Sequence, residues 1–281
     1  MAGEGGGNDE RGDILAAEVA ATDRGFLYGD GLFETLLCID GAVPWLDYHV
    51  ERMQQGSERL SLGVSHDRLR RYFEQAIPAR GRHILRLTLS RGSGARGYAP
   101  DGAEDVTVRA RLMPLNASGL QPPPHLDLGL SSMALGAQPL LAGIKHCNRL
   151  EQVLAAREAA ERSVDDVLVG DGGQGFQCAG RANLLVLIDE GLVTPACDLR
   201  GIAGTRRRLV MEQLAPRLNL PVREAPVSRA TLHGARAVML SNAVMGLAIA
   251  KTVDGEAVAV DPLALRLQQS YFEELNSWVV D

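Results

Sequence analysis

The chain has 281 residues, 46% of them hydrophobic and 23% charged, and carries a net charge of −6 at neutral pH. That length accommodates two medium domains sharing an interface, since single cores stop growing at roughly 250 to 300 residues. The composition excludes a wholly disordered chain, and the acidic balance excludes a nucleic-acid surface, leaving a small molecule or another protein as the expected partner.

Residues 1–13 are acidic and Gly-rich without an apolar run, so they read as a fraying tail, neither signal peptide nor anchor. An N-terminal α/β domain is expected over 14–112. Helical spacing runs from Tyr48 to Leu60 and from His66 to Ala76, and strand alternation from His83 to Ser90 and from Asp105 to Arg111. The stretch 113–124, MPLNASGLQPPP, is rich in Pro and turn residues and reads as an interdomain linker. A C-terminal α/β domain is expected over 125–281. It should hold a strand near Leu126 to Leu135, a helix from about Asn148 to Arg162, strands at Asp166 to Val169 and Asn183 to Ile188, and a hairpin return at Leu192 to Thr194. Further helices should start after Gly204 and after Pro262. The longest apolar stretch, Ala237 to Ala250, is interrupted by Ser241 and Asn242 and falls short of the ~20 residues a membrane span requires, so it reads as buried interior. No Gly-rich nucleotide fingerprint opens a strand–helix alternation, which disfavours a dinucleotide-binding domain.

Cys38, Cys147, Cys178 and Cys197 are widely spaced and form no CxxC pair, which suits reduced thiols in a cytoplasm, and the six histidines show no metal-ligand spacing. The basic residues are more informative. Of the 29, all but Lys145 and Lys251 are arginine. A lysine in such a chain is a candidate for work a guanidinium cannot do, namely losing a proton and acting as a nucleophilic amine. A solvated surface lysine is the bland alternative for each.

Several segments between Thr22 and Gly255 together resemble the class IV, D-amino-acid aminotransferase-like family of fold type IV enzymes, which depend on pyridoxal 5'-phosphate (PLP). The carriers are Asp23-Arg24-Gly25, Tyr28-Gly29-Asp30-Gly31, Phe33-Glu34-Thr35, His49-Val50-Glu51-Arg52 and the run Gly143 to Gln152. The resemblance implies a mixed α and β, two-domain fold and a homodimer with the cofactor between the domains. It implies Lys145 as the Schiff-base lysine and Arg52 on the phosphate, where a planar fork is suited to phosphate oxygens. It also puts Thr205 and Arg206, in Gly201 to Arg207, on phosphate-facing positions ahead of a helix, and Ser241 and Asn242 in a second phosphate-side loop. On their own these residues have plainer readings: a helix-surface Arg, a Gly-Thr helix cap, and a polar pair satisfied by backbone.

Ser90 to Tyr98, SRGSGARGY, and the Asn148 to Gln152 run are close to the pattern of aminodeoxychorismate lyases, which release 4-aminobenzoate and pyruvate. That resemblance places Arg86 and Arg96 near the two substrate carboxylates, although a surface loop rich in Gly and Arg would look the same. One departure stands out. Where the family has a glutamate facing the pyridine nitrogen, five residues before Asn183, this chain has Cys178. A thiol protonates the ring less well than a carboxylate partner would, which should harm transamination more than elimination. The rival expectations are a D-amino-acid or branched-chain aminotransferase, and a PLP-binding homologue with lost or altered activity.

Overall fold

The computed structural model describes residues 18–100, 106–115, 120–173 and 175–278. The expected tail 1–13 and the middle of the expected linker, 116–119, lie outside the described residues.

The first half comprises α1 (Arg24–Tyr28), β1 (Gly31–Ile39), α2 (Leu46–Arg59), α3 (His66–Ala76), β2 (Arg82–Ser90) and β3 (Thr107–Pro114). The three strands form an antiparallel sheet in the order β1-β2-β3. Alternation decides what each face meets. Leu32, Leu36 and Cys38 of β1, with Leu85, Leu87 and Leu89 of β2, join Val50, Met53, Leu69 and Phe73 from α2 and α3 in one core. Leu37 and Ile39 point the other way, into a core shared with the second half. Within β1 every residue but Thr35 is buried, so this strand is the wall between the two halves. The α3 helix begins where Ser65 accepts a hydrogen bond from the Arg68 amide, and its Leu69, Phe73 and Ala76 make the buried stripe. β3 runs on to Pro114, two residues into the stretch read as a connector, because Met113 and Pro114 still pair with Ile84 and His83 at the strand's edge.

The second half follows with β4 (Leu126–Ala134), α4 (Leu150–Glu161), β5 (Asp166–Gly170), β6 (Gly175–Ala179), β7 (Asn183–Ile188), β8 (Gly191–Thr194), α5 (Thr205–Leu209) and α6 (Ala215–Arg217). A π-helical turn, Val210–Leu214, joins the last two. Then come β9 (Val222–Glu224), β10 (Val227–Ser228), α7 (Arg229–His233), β11 (Ala237–Asn242), β12 (Gly246–Val253), β13 (Glu256–Ala257) and α8 (Pro262–Asn276). The sheet order is β10-β6-β5-β4-β12-β11-β7-β8-β9, and a further β6–β7 pairing closes six of these strands into a barrel. Leu128, Leu168, Leu184, Val186, Val238 and Leu240 fill its inside. Leu185, Leu187, Met239 and Ile249 face outward, onto α5 and α8 and onto Leu37 and Ile39 of β1. The apolar run Ala237 to Ala250 is thus the β11–β12 hairpin, buried on both faces. No described helix is long and apolar enough to cross a membrane.

Candidate active site

Lys145 sits in a short extended segment strapped between the halves. On one side the Gly143 amide donates to the Gly201 carbonyl and the Ala203 amide to the Gly143 carbonyl, each at 3.0 Å. On the other, the Phe33 amide donates to the Lys145 carbonyl and the Cys147 amide to the Gly31 carbonyl, each at 2.9 Å. The amine comes to 4.3 Å from the centre of the Phe33 ring and, among the described residues, has no carboxylate partner. Burial first, and then the Arg52 charge, bring its pKa down to about 7; Arg149 and Arg86 add to this and Glu34 opposes it. Lys251, by contrast, is half exposed on β12 and paired with Asp127 at 2.9 Å.

Beside the lysine lies a buried cluster that the sequence did not disclose. Glu34 projects from β1 toward α2, where His49 and Arg52 are one helical turn apart and so share a face. Arg52 grips the Glu34 carboxylate through Nε at 2.7 Å and Nη2 at 2.6 Å, and donates from Nη1 to the Ala203 carbonyl at 3.0 Å. Two of its five N–H groups remain free to meet an anion. Burial alone would push Glu34 up, but Arg52 and His49 outweigh it and hold the carboxyl at about 2. His49 is taken down to about 4, chiefly by burial, and so is neutral. Its Nδ1 donates to Glu34 at 2.7 Å, which leaves Nε2 as an acceptor facing the Thr205 hydroxyl at 3.5 Å. The signals were an isolated Glu in an apolar strand and a His–Arg pair three apart.

Thr205 opens α5 behind Gly204, and no side chain caps the first-turn amides. A Cβ on Gly204 would fall 1.8 Å from Asn183 Oδ1, so this close approach of loop and barrel requires glycine. Arg206 departs from expectation. Its guanidinium is turned into the core, over the Trp45 ring at 4.6 Å, with Nε donating to the Tyr271 hydroxyl at 3.2 Å and Nη2 to the Pro44 carbonyl at 3.4 Å. One step along a helix rotates a side chain by about 100°, so Thr205 and Arg206 cannot both face one anion; only the Arg206 backbone is left to do so. Asn242 is likewise occupied: its Oδ1 accepts from the Val244 and Met245 amides at 3.0 and 2.7 Å, closing the β11–β12 turn.

Cys178, Asn183 and Ser241 are directly opposed across β6, β7 and β11 and therefore form one row on the outer face of the barrel. Asn183 ties that row to the loop by donating to the Ile202 carbonyl at 2.7 Å. Ser241 Oγ is buried without a hydrogen-bond partner. A buried orphan hydroxyl, free Arg52 N–H groups and uncapped helix amides around a near-neutral lysine fit a phosphate-bearing aldehyde. The Cys178 thiol is pushed up to about 12, mainly by burial, and stays protonated. Gln177, its neighbour at the register shift of β6, donates to the Ala196 carbonyl at 2.6 Å. Arg149, also absent from the sequence-based set, acts electrostatically on both Lys145 and Cys178, and its Nε is buried without a partner.

The opposite wall of the cleft belongs to the three-stranded sheet. Arg86 lies opposite Thr35 and stacks over the Phe33 ring at 3.8 Å, so it shares that ring with Lys145. Arg96 is exposed in the loop after β2, and no hydrogen bond or ion pair among the described residues joins it to Lys145 or Arg86. Arg24 anchors that loop by donating to the carbonyls of Gly97, Tyr98 and Ala99. Asp23 meanwhile caps α1 and accepts from Ser90 at 2.8 Å. The Asp23-Arg24 part of the opening motif therefore builds the loop.

The fold is that of the fold type IV enzymes, a PLP-dependent group. The sequence description of amino-transferase class IV matches residues 31–253, and the chain belongs to that family. An aminodeoxychorismate lyase from Vibrio harveyi is 33% identical over 229 residues, covering 80% of this chain and 84% of that protein. The crystal structure of 4-amino-4-deoxychorismate lyase from Pseudomonas aeruginosa superposes with a TM-score of 0.84 at 33% identity, over 93% of this chain and 97% of that one. A D-alanine aminotransferase from Listeria monocytogenes is 25% identical over 92% of both chains.

Proposed function

We propose that this protein is a PLP-dependent carbon–oxygen lyase that converts 4-amino-4-deoxychorismate to 4-aminobenzoate and pyruvate. The observation that carries this is Lys145 itself: a near-neutral amine that shares the Phe33 ring with the guanidinium of Arg86, which has no ion pair among the described residues. Similarity to two lyases at 33% identity supports it.

In this reading Lys145, the free N–H groups of Arg52, the start of α5 at Thr205 and the Ser241 hydroxyl would hold the cofactor, and Cys178 would be the residue that meets its ring nitrogen. Bound there, PLP supplies the electron sink that lets the amine-bearing carbon of the substrate lose its proton. Lys145 Nζ takes that proton, a task suited to a base titrating near the working pH. Arg86 orients a substrate carboxylate. The half-exposed Thr35 hydroxyl, opposite Arg86, protonates the enolpyruvyl oxygen as its bond to the ring breaks. Because Cys178 remains a thiol, it would lend the ring nitrogen no negative charge. Elimination, driven in part by aromatising the product, tolerates this better than amino transfer does.

An aminotransferase remains the second reading because of the D-alanine aminotransferase similarity; Cys178 weighs against it. Incubation with 4-amino-4-deoxychorismate should yield 4-aminobenzoate, whereas an amino donor with a keto acid should turn over slowly. Fast amino transfer with no aromatic product would reverse the order. Four free cysteines favour a reducing cytoplasm. A homodimer is supported by the apolar residues Phe26, Leu27, Tyr98, Leu150 and Val153, left exposed on a single chain.

A further inference from the structure

The mechanism leaves a second guanidinium on the cleft wall unused. Arg111 on β3 is the direct partner of Arg86 on β2, which is itself opposite Thr35 on β1. Directly opposed residues share a face. Here it is the cleft face, because Leu85, Leu87 and Val108 of the same two strands point away, into the core beneath α2 and α3. The adjacent Arg109 is occupied, donating to the Glu18 and Val108 carbonyls. Neither Arg86 nor Arg111 has an ion pair or hydrogen bond among the described residues. Like charges placed directly opposite each other destabilise a strand pair. Arg86 registers this: burial foremost lowers its pKa, Cys147 opposes the shift and Arg111 adds to it. Two unpaired guanidiniums face to face beside a reactive amine form a receptor for an anion with two negative groups.

We propose that Arg111 is a specificity-determining residue that, together with Arg86, selects a dicarboxylate substrate. The proposal rests on the lyase reading for the identity of that dianion. Its chemistry fits the spacing. The enolpyruvyl ether is borne on the carbon next to the amine-bearing one, and its carboxylate meets Arg86, which shares the Phe33 ring with Lys145. The ring carboxylate is para to the amine and meets Arg111, one strand further out.

The test uses full-length holoenzyme with Arg111→Gln, Arg111→Lys and, as a control, Arg109→Gln. Arg111→Gln should raise the KM for 4-amino-4-deoxychorismate about tenfold or more with kcat within about threefold, the loss expected of one charge-assisted contact made equally before and during reaction. Binding of isophthalate, measured by calorimetry, should weaken by a similar factor while that of benzoate is unchanged. Arg111→Lys should recover part of the loss, and Arg109→Gln should alter neither. Wild-type KM and isophthalate affinity in Arg111→Gln, or no preference of the wild type for isophthalate over benzoate, would overturn the assignment. The probe needs no turnover, so the two ideas can fail separately. A protein that makes no 4-aminobenzoate yet loses isophthalate through Arg111→Gln keeps the receptor and refutes the lyase. One that makes the product with an indifferent Arg111 does the reverse.

Discussion

A lysine that titrates at about 7 rather than 10.5 changes what the protein does with pH, because half of its amines are already neutral at neutrality. In the apoprotein, the rate of PLP uptake should climb about tenfold per pH unit below 7 and level off above it, whereas an unperturbed lysine would keep climbing toward 10. Stopped-flow absorbance on apoprotein reads this directly, and a rate still rising at pH 9 would remove the perturbed lysine from the account. The stability consequence has a definite sign. Between about 7 and 10.5 the unfolded chain binds the proton that the folded one has lost, so apoprotein stability should rise with pH across that window. Lys145→Ala should abolish the dependence together with borohydride-fixed cofactor. Cys178 invites the converse experiment. With its thiol at about 12, replacement by a carboxylate introduces the charge the ring nitrogen lacks, next to Arg149, which can balance it. Cys178→Glu should therefore raise amino transfer by at least about tenfold. If amino transfer does not move, ring protonation is not what separates the two activities here.

The contact between β1 and α2 places a charged Glu34 and Arg52 in the interior, and their worth lies in being paired. Glu34→Gln leaves Arg52 a buried cation without its counter-charge and should cost about 3 kcal/mol in urea unfolding. The same pair sets acid sensitivity. Glu34 contributes stability above its unfolded value of 4.5 that is lost as the pH falls toward about 2, and neutral His49, at about 4, loses stability as the pH falls from 6.5. At the start of α5, Gly204→Ala must move either loop or barrel to clear Asn183, so PLP affinity should fall at least about tenfold, and adding Asn183→Ala should restore part of it. Unrecovered affinity would mean that the backbone of Gly204, not the clash, is what matters. These local facts separate what the sequence disclosed from what it did not. Helical spacing located α3 at His66–Ala76, and Gly204-Thr205 marked the start of α5, because both signals are confined to a few consecutive residues. Lys145 was legible because it is one of two lysines in the chain. The direction of Arg206 was not, because it depends on Trp45 and Tyr271, which come from distant parts of the chain. Closure of the barrel was equally hidden: β4 pairs in parallel with β12, more than a hundred residues away, and no local pattern encodes that register.

The two halves meet through β1, but a second surface remains uncovered. Phe26 is 73% exposed, Tyr98 85% and Leu150 78%, and the segments that carry them adjoin: Tyr28 packs on Tyr98 at 5.3 Å between ring centres, and Asn148 donates to the Gly29 carbonyl at the junction of α1 and α4. Large apolar side chains left exposed in adjoining segments of one chain mark an association site. Isologous pairing of two chains would cover it in both at once, in keeping with the homodimer proposed above. It would also give Arg96 a role, since the loop that carries it, pinned by Arg24, lies on that surface beside Tyr98. Sedimentation velocity at about 10 µM should find twice the chain mass, at a concentration well above the Kd of an ordinary stable dimer. Leu150→Glu with Val153→Glu should shift the protein to the monomer, because each places a charge where apolar area is buried. If Arg96 reaches across to a partner's cleft, that monomer keeps the aldehyde bound to Lys145, since the cradle of Arg52, Thr205 and Ser241 lies within one chain, but loses affinity for the dicarboxylate; Arg96→Gln reproduces the second loss and leaves the dimer intact. A wild-type monomer that turns over at full rate would remove both the dimer and the role of Arg96.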